Sequence, residues 1–540
     1  MQKKIILFTA VLACSLSLQA LSFGKNKVIY RGLEWRIIET GNFYVYYNTE
    51  LEPLARDTAL IAEGAYTRIT KSLKVFPAEK IKLFIYKDHI DFEQTNITSE
   101  LITEGVGGFT EPLKDRIVLP VYTSMNYYKH VIEHEFTHRL QFEVLFGGFG
   151  KSMKLARSLL IPLWFMEGMA DHEAGENDAA SANLLLRDAV INGRTHTLSY
   201  LGSFNYEDGR DVVLMYKEAK SFFDFVEQTY GEEKIGAVLR EFYLVSITPE
   251  QAFFNILGVS LEELNKKWQY WLKEKYWAQA IGRKQGADYG APATFDRQEM
   301  QVNNTRPVFS ADGSKLYYIS DRNNYSGLCE LELKNNSRTE LIGHEYDFLS
   351  NSGNALAVSP DGKLLAFAAR VAGKAQLHIY YFAERRVIKS FNCGLDGVYS
   401  PRFISNSRLL FSGDMNGVSD IYSSDIAGGN LKKITEDAYD DSDPGELNVE
   451  APFGVLMDSF SGPSEAKDLI YVSERNLKRV LVQVSNFESK DRTEKVLTPG
   501  TFNTWSPVPL RDGRILCVSD LGGIQNIYIF DRAKQEFLQA

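Results

Sequence analysis

The chain has few cysteines and few histidines, and it has no excess of positive charge. Each of these features restricts the classes of protein to which it can belong. Only 4 of the 540 residues are Cys, a sparse set that does not make a disulfide framework. The formal net charge of −10 lacks the basic footprint of a nucleic-acid-binding protein, so we expect no nucleic-acid partner. Beyond residue 20 no apolar run approaches the roughly 18 residues of a membrane span, so we expect no transmembrane segment in the mature chain.

Residues 1–20 have the pattern of a secretory signal peptide. Two lysines near the start precede an apolar run from Ile5 to Leu18, and Ala20 is the expected last residue before cleavage. We therefore expect an exported protein, periplasmic or extracellular. Cys14 lies in a run that loosely resembles a lipobox, so a lipid anchor through this residue is the alternative. The other three cysteines lie in β-rich sequence and are expected to be buried: Cys329, Cys393 and Cys517.

Histidine occurs only 8 times, yet the segment His134–His138 reads HEFTH, a complete HExxH pattern. Neither Gly nor Pro occurs from Val121 to Val144, which indicates a helix. Side chains four positions apart share one face of a helix, so the two imidazoles can bind one zinc ion and Glu135 can deprotonate a water molecule on it. The alternative is a surface helix with two solvated histidines.

His130 continues the same stripe of histidines. It lies eight residues before His138, about 12 Å along a helix axis, so one ion cannot bind all three imidazoles. We interpret His130 as a core or surface residue.

A second segment, residues 162–171, contains a candidate for the third protein ligand of such a site. Zinc hydrolases of this type have a third protein ligand and keep one position for water. Glu167 lies in an otherwise apolar stretch, where a buried carboxylate is costly unless it binds a cation. Pro162 suits the first turn of a helix, and Asp171 then falls on the same face as Glu167. The Asp171 carboxylate could accept the second ring N–H of a ligand histidine.

Together the two segments resemble the gluzincin metallopeptidases, most closely the bacterial peptidase-MA-like group, in which HExxH is followed by P-x-W-x-x-E-G-x-A. The resemblance implies that one Zn²⁺ is bound, that Glu135 is the general base and that Asp171 supports a ligand histidine. The zinc ligands that it implies are His134, His138 and Glu167.

One departure from the family pattern is the spacing of its two segments. Twenty-eight residues separate His138 from Glu167, more than in the compact gluzincins. The excess runs from Leu145 to Leu160 and admits three interpretations: an insertion over the cleft, a lid, or a loop before the next helix.

The rest of the first half fits an α+β domain. Alternating patterns predict two strands within residues 35–47 and one over 80–86, whereas helical periodicity predicts helices over 52–73, 210–230, 232–243 and 261–276. Residues 115–120 are predicted to form an edge strand beside the HExxH helix. In related zinc peptidases such a strand binds the substrate backbone.

The segment Leu214–Ala219 contains Tyr216 and is similar to the Tyr-Glu-Lys-Gly stretch of aminopeptidase-N-like gluzincins. The similarity implies that Tyr216 donates a hydrogen bond to the oxyanion of the tetrahedral intermediate, with Tyr200 and Tyr206 as alternatives. The Gly-x-Met-Glu-Asn exopeptidase signature of that group is absent, which favours an endopeptidase.

From Asn303 onwards, short β-rich runs recur between turn signals. The unit Phe309–Ser320, with its Asp-Gly turn, returns after about 50 residues, and Asp-Gly occurs again at 512. This period is typical of β-propeller blades, and the repeats resemble the TolB-like repeats of exported bacterial proteins. We predict five or six blades, with the one near Leu469 to Val484 poorly marked, and interpret the Asp and Ser residues of the repeats as turn formers.

The sequence therefore predicts a multidomain protein: an α+β gluzincin-like metallopeptidase domain over residues 21–285 and an all-β propeller over 286–540. The expected function is zinc-dependent hydrolysis of a peptide or protein substrate, with the propeller available to bind an envelope protein. Two alternatives stay open: a non-catalytic envelope scaffold built on the propeller, and a zinc amidase that acts on cell-wall peptides.

Overall fold

A computed structural model describes twelve stretches of the chain: residues 32–93, 106–111, 115–146, 161–202, 209–244, 248–281, 288–294, 302–346, 348–349, 355–447, 468–510 and 512–540. The predicted signal peptide with Cys14, residues 147–160 of the predicted insertion, and Tyr206 lie outside these stretches. None of the described helices is long and apolar enough to cross a membrane.

The chain forms two compact units, each made of several segments. The first comprises Met1–Val121, Lys129–Ala174 and Val226–Gly258, and the second comprises Tyr122–Tyr128, Gly175–Phe225 and Val259–Ala540.

Helices occur where the apolar periodicity predicts them, to within about four residues. Ser260 shows how one begins, because its hydroxyl accepts a hydrogen bond from the main-chain N–H of Glu263 at 3.2 Å. The helices of the described residues are α1 (Glu52–Leu73), α2 (His89–Glu93), α3 (Met125–Phe146), α4 (Leu163–Ala174), α5 (Ala179–Ile191), α6 (Gly209–Tyr230), α7 (Glu233–Leu244), α8 (Pro249–Leu257) and α9 (Leu261–Ala280).

The sheet of the first unit has five strands, which are β1 (Trp35–Glu39), β2 (Phe43–Asn48), β3 (Ile81–Tyr86), β4 (Phe109–Glu111) and β5 (Arg116–Pro120). Their order is β1-β2-β3-β5-β4. The strands β2, β3 and β5 run parallel, whereas β1 and β4 pair antiparallel at the two edges. The predicted strands around Gly41 and over residues 80–86 are thereby confirmed.

The prediction that residues 115–120 form an edge strand is wrong. The strand β5 is internal, between β3 and β4, and its residue Ile117 is fully buried. The reason is a reversal of the chain at Asp115, whose φ is 51° and whose N–H donates to the carbonyl of Glu111 at 3.1 Å. This reversal brings β4 back against β5, and β4 forms the edge of the sheet.

Aromatic packing fixes α3 and α4 within the first unit. The ring of Phe136 on α3 lies 5.7 Å from that of Phe43 on β2 and 5.8 Å from that of Tyr66 on α1, centroid to centroid. On α4, the ring of Phe165 lies 5.1 Å from Phe242 and 6.3 Å from Phe253. Each helix is therefore anchored by a large buried side chain on one face.

In the second unit, five antiparallel sheets follow one another along the chain, four with four strands and one with five, as expected of propeller blades. The five-stranded sheet is blade 2, in which two short strands, β10 and β11, both pair with β12. The strands are β6 (Asn304–Phe309), β7 (Lys315–Ser320), β8 (Gly327–Glu332) and β9 (Ser337–Ile342) in blade 1; β10 (Phe348–Leu349), β11 (Leu356–Val358), β12 (Leu364–Val371), β13 (Lys374–Tyr381) and β14 (Arg386–Phe391) in blade 2; β15 (Gly397–Ser405), β16 (Arg408–Met415), β17 (Val418–Asp425) and β18 (Lys432–Lys433) in blade 3; β19 (Asp440–Leu447), β20 (Asp468–Arg475), β21 (Lys478–Ser485) and β22 (Thr493–Val496) in blade 4; and β23 (Thr504–Pro509), β24 (Ile515–Ser519), β25 (Asn526–Asp531) and β26 (Glu536–Gln539) in blade 5.

The propeller has five blades, and the poorly marked region is a complete blade 4. The Asp-Gly repeats form the turns between adjacent strands. In blade 1 the Ser310 hydroxyl donates to Asp312 at 2.6 Å, and Gly313 adopts a φ of 72° that favours glycine. The interpretation of these residues as turn formers is confirmed.

The three cysteines of the described residues are all free, but only Cys517 is fully buried. Cys329 and Cys393 are half-buried, so the expectation that all three are buried is wrong for two of them.

Candidate metal centre

The helices α3 and α4 bring three potential ligand atoms together in the first unit. The distance from His134 Nε2 to His138 Nε2 is 3.0 Å, because one helical turn places both rings on the same face of α3. Glu167 Oε2, on α4, lies 3.2 Å from His134 Nε2 and 3.4 Å from His138 Nε2. The three atoms form a nearly equilateral triangle.

Neighbouring side chains determine which ring nitrogens of the histidines carry protons. His134 Nδ1 lies 2.8 Å from the Asp171 carboxylate, which accepts, so His134 carries its proton on Nδ1. The Gln141 amide nitrogen donates to the Met166 carbonyl at 2.9 Å, so the amide oxygen of Gln141 faces His138 Nδ1, 2.8 Å away, and accepts from it. In the neutral imidazoles, both Nε2 atoms are then left with lone pairs.

The three potential ligand atoms thus face one another within 3.4 Å, an arrangement that a cation at the centre would stabilise. Ligands of a tetrahedral zinc ion with bonds of about 2.0–2.1 Å stand about 3.3 Å apart. The separations of 3.0, 3.2 and 3.4 Å fit that geometry. Two histidines and one carboxylate, with one position open for water, also make the donor set of catalytic zinc sites.

Electrostatics at the site favour positive charge. Burial lowers the pKa of His134, but the hydrogen bonds and charges of Asp171 and Glu167 outweigh burial and raise that pKa well above its usual range. For His138 burial again lowers the pKa, and Glu167 outweighs it. Burial raises the pKa of Glu167, yet the facing histidines bring it down to about 2. The Glu167 carboxylate is therefore ionised.

His130 lies beside this group. Its Nε2 is 3.5 Å from Asp171 Oδ1, so the Asp171 carboxylate stands between His130 and His134. Ligand atoms of these three residues lie within 4.8 Å of one another and form a second group of residues that could hold a metal ion. His130 is buried, and its interpretation as a core or surface residue stays a prediction.

The remaining predicted site residues lie in two places. Glu135, on α3, is 5% exposed in the first unit. Tyr216 lies on α6 in the second unit and is half-buried, and its role as an oxyanion donor stays a prediction. Of the alternatives, Tyr200 is 48% exposed and stacks on His196 with a centroid distance of 4.6 Å.

Sequence reasoning also missed Gln141 and Thr110. Gln141 is the third residue after His138, in the segment HRLQ, and helical spacing alone could have placed it one turn further along the ligand face. No sequence pattern indicates Thr110, because β4 is only three residues long and the residues that contact it are distant in the chain.

Fold and site together define a class: an α+β domain with an HExxH helix and a downstream glutamate, followed by a five-bladed propeller. Residues 61–274 match the Peptidase MA superfamily, and this stretch includes both helices that carry the site. The chain thus has a peptidase-like domain that is similar to that superfamily. No curated protein matches the sequence.

Solved structures resemble the propeller. The putative TolB from Agrobacterium tumefaciens is 18% identical with a TM-score of 0.35, and the match covers 44% of this chain and 80% of that chain. TolB from Acinetobacter baumannii is 17% identical with a TM-score of 0.33, covering 44% of this chain and 53% of that chain, so the match spans about half of that TolB. The β-propeller domain of the Trilobed protease from Pyrococcus furiosus is 14% identical with a TM-score of 0.29, covering 44% of this chain and 68% of that one.

Proposed function

We propose that the protein is a zinc-dependent metallopeptidase that cleaves internal peptide bonds. The observation that carries this proposal is the convergence of His134 Nε2, His138 Nε2 and Glu167 Oε2 within 3.4 Å, on the same helix pair as Glu135. A structural metal site does not need a carboxylate base between two ligand histidines, whereas a hydrolase does.

In this proposal His134, His138 and Glu167 hold one Zn²⁺. Bound there, the ion would lower the pKa of a water molecule and polarise the scissile carbonyl. Asp171 and Gln141 hold the two imidazoles by their Nδ1–H groups, so that each Nε2 stays directed at the site.

The proton steps fall to Glu135, which would accept the proton of the attacking water and pass it to the leaving amine. Tyr216 is our proposed donor to the oxyanion, on the strength of its sequence context.

We further propose that the protein is exported, with residues 1–20 as a signal peptide, 21–285 as the peptidase domain and 286–540 as the propeller. The pattern of a basic start, an apolar run and Ala20 supports export. The propeller would bind an envelope protein or present the substrate.

Cleavage of a peptide library, followed by mass spectrometry, tests the peptidase. The wild-type chain from residue 21 onwards should cleave, and Glu135→Gln should lower the rate by at least about 100-fold because the general base is lost. Glu143→Gln is the matched control, since Glu143 lies on the same helix, is half-buried and pairs with Arg139 at 2.7 Å. No cleavage by zinc-loaded wild type would reject the peptidase and favour a scaffold or an amidase.

A further inference from the structure

The edge strand β4 contacts the side chain of Glu135 directly. The Thr110 hydroxyl lies 2.8 Å from Glu135 Oε2 and 2.8 Å from the main-chain carbonyl oxygen of the same residue. A hydroxyl has one proton, so Thr110 donates to one of these two oxygens at a time. Glu135 is only 5% exposed, and a carboxylate at that depth depends on protein donors for its orientation.

A second contact involves Gly108, two residues earlier and immediately before β4. A Cβ at this position would lie 2.7 Å from Leu119 Cδ2, 3.1 Å from Glu135 Cγ and 3.3 Å from Glu135 Oε1. The space that a side chain would need is therefore already occupied by Leu119 and by the Glu135 side chain itself. Only glycine lets the backbone approach the carboxylate this closely.

We propose that Gly108 and Thr110 are positioning residues for Glu135, and that they assign separate tasks to its two carboxylate oxygens. Thr110 holds Oε2, which fixes the side-chain rotamer. Oε1, the oxygen beside Gly108, is then the atom that exchanges the proton with water and substrate. The catalytic part of this inference rests on the proposed function; the positioning part does not.

Two features separate this arrangement from ordinary packing. Thr110 and Glu135 belong to different elements and are 25 positions apart in the chain, so the bond is tertiary rather than local. Both contacts also reach the same side chain, that of Glu135, from β4 and the residue that precedes it. A displacement of a catalytic group by about 1 Å can lower a rate by about 100-fold, so fixing the Glu135 rotamer should raise kcat.

Kinetics of Thr110→Val and Thr110→Ser on a cleaved peptide test the proposal. Valine keeps the shape and removes the hydroxyl, and we expect kcat to fall by about 10- to 100-fold with KM changed by less than about 3-fold. Serine keeps the hydroxyl and should recover most of kcat. Gly108→Ala should lower kcat through crowding at Oε1.

Thr58→Val is the matched control. Thr58 is fully buried in the same unit and donates to the Leu54 carbonyl at 2.8 Å, so this variant loses a comparable buried threonine–carbonyl bond within α1. Its kcat should equal that of the wild type. Equal kcat for Thr110→Val and wild type would overturn the proposal, and so would a loss of kcat that serine does not restore or that follows loss of bound zinc.

A readout independent of activity separates this inference from the proposed function. We expect the drop in melting temperature caused by Thr110→Val to be smaller in a Glu135→Ala background than in the wild type, because the partner carboxylate is gone. Additive drops would overturn the positioning role whether or not the protein cleaves peptides. If the thermal coupling is present but wild type cleaves nothing, the proposed function fails while the Thr110–Glu135 contact stands.

Discussion

Asp171 Oδ1 lies 2.8 Å from His134 Nδ1 and 3.5 Å from His130 Nε2, so a single carboxylate on α4 connects two histidines of α3. Such a carboxylate fixes the tautomer of a ligand histidine and strengthens it as a donor to the metal. We expect Asp171→Asn to weaken zinc binding by about 10- to 100-fold in a chelator competition. Asp224→Asn, which weakens the ion pair with Lys220 at 2.9 Å, should leave the affinity unchanged. Equal affinities for wild type and Asp171→Asn would remove Asp171 from the site.

Zinc should stabilise the folded protein, since a ligand that binds only the native state raises the free energy of unfolding. At a free zinc concentration 100 times the Kd, the expected gain is about 2.7 kcal/mol. Differential scanning calorimetry with and without a chelator measures this gain. In His138→Ala the triangle of ligand atoms is lost, and its melting temperature should no longer respond to zinc. A wild-type melting temperature that chelation does not change would contradict the account.

Gln141 connects the two helices of the site, and loss of this connection should lower the free energy of unfolding. It is fully buried, accepts from His138 Nδ1 at 2.8 Å and donates to the Met166 carbonyl at 2.9 Å. Gln141→Met should leave the His138 Nδ1–H buried and unpaired, and such a group costs about 1–3 kcal/mol. Urea denaturation of the chelated protein should show that loss. Gln141→Glu, which keeps the acceptor for His138 but not the amide donor for Met166, should retain more zinc affinity than Gln141→Met.

The propeller should lose stability as the pH rises. Asp441 in β19 is fully buried, and burial, with the nearby charges of Asp437 and Asp420, raises the pKa of Asp441 from 3.8 to about 8. Between about pH 4 and pH 8 the folded chain keeps a proton that the unfolded chain has lost, so this group lowers the free energy of unfolding as the pH increases. Above pH 8 the loss is complete.

Asp441→Asn removes that titration. From pH 5 to about pH 8, the melting temperature of the variant relative to wild type should increase steadily, and it should level off towards pH 9. Asp512→Asn is the control, because hydrogen bonds from Arg514 lower the pKa of Asp512 and it stays ionised throughout this range. Parallel pH profiles for wild type and Asp441→Asn would contradict the prediction.

Local spacing was enough to find much of the candidate site. His134 and His138 share a helix face because they are one turn apart, and Glu167 and Asp171 do so on α4 for the same reason. The propeller was also predictable, because blades 1, 2 and 5 carry an Asp-Gly turn at a recognisable spacing. In both cases the prediction rests on spacing along the chain, which is one helical turn for the ligands and about 50 residues for the blades.

What the sequence could not supply were partners that meet only in three dimensions. The edge position of β4 depends on the reversal at Asp115, and the apolar run of β5 was mistaken for an edge strand because its other neighbour was not recognised. Thr110 and Gly108 reach Glu135 through that same sheet order. Blade 4 was poorly marked because its strands lack an Asp-Gly turn.

Anomalous diffraction at the zinc absorption edge, from crystals of the zinc-loaded chain, tests the central claim most directly. The account predicts one strong peak about 2.0–2.1 Å from His134 Nε2, His138 Nε2 and Glu167 Oε2. A peak instead at the second group, among His130, His134 Nδ1 and Asp171, would contradict it, and so would the absence of a peak from α3 and α4.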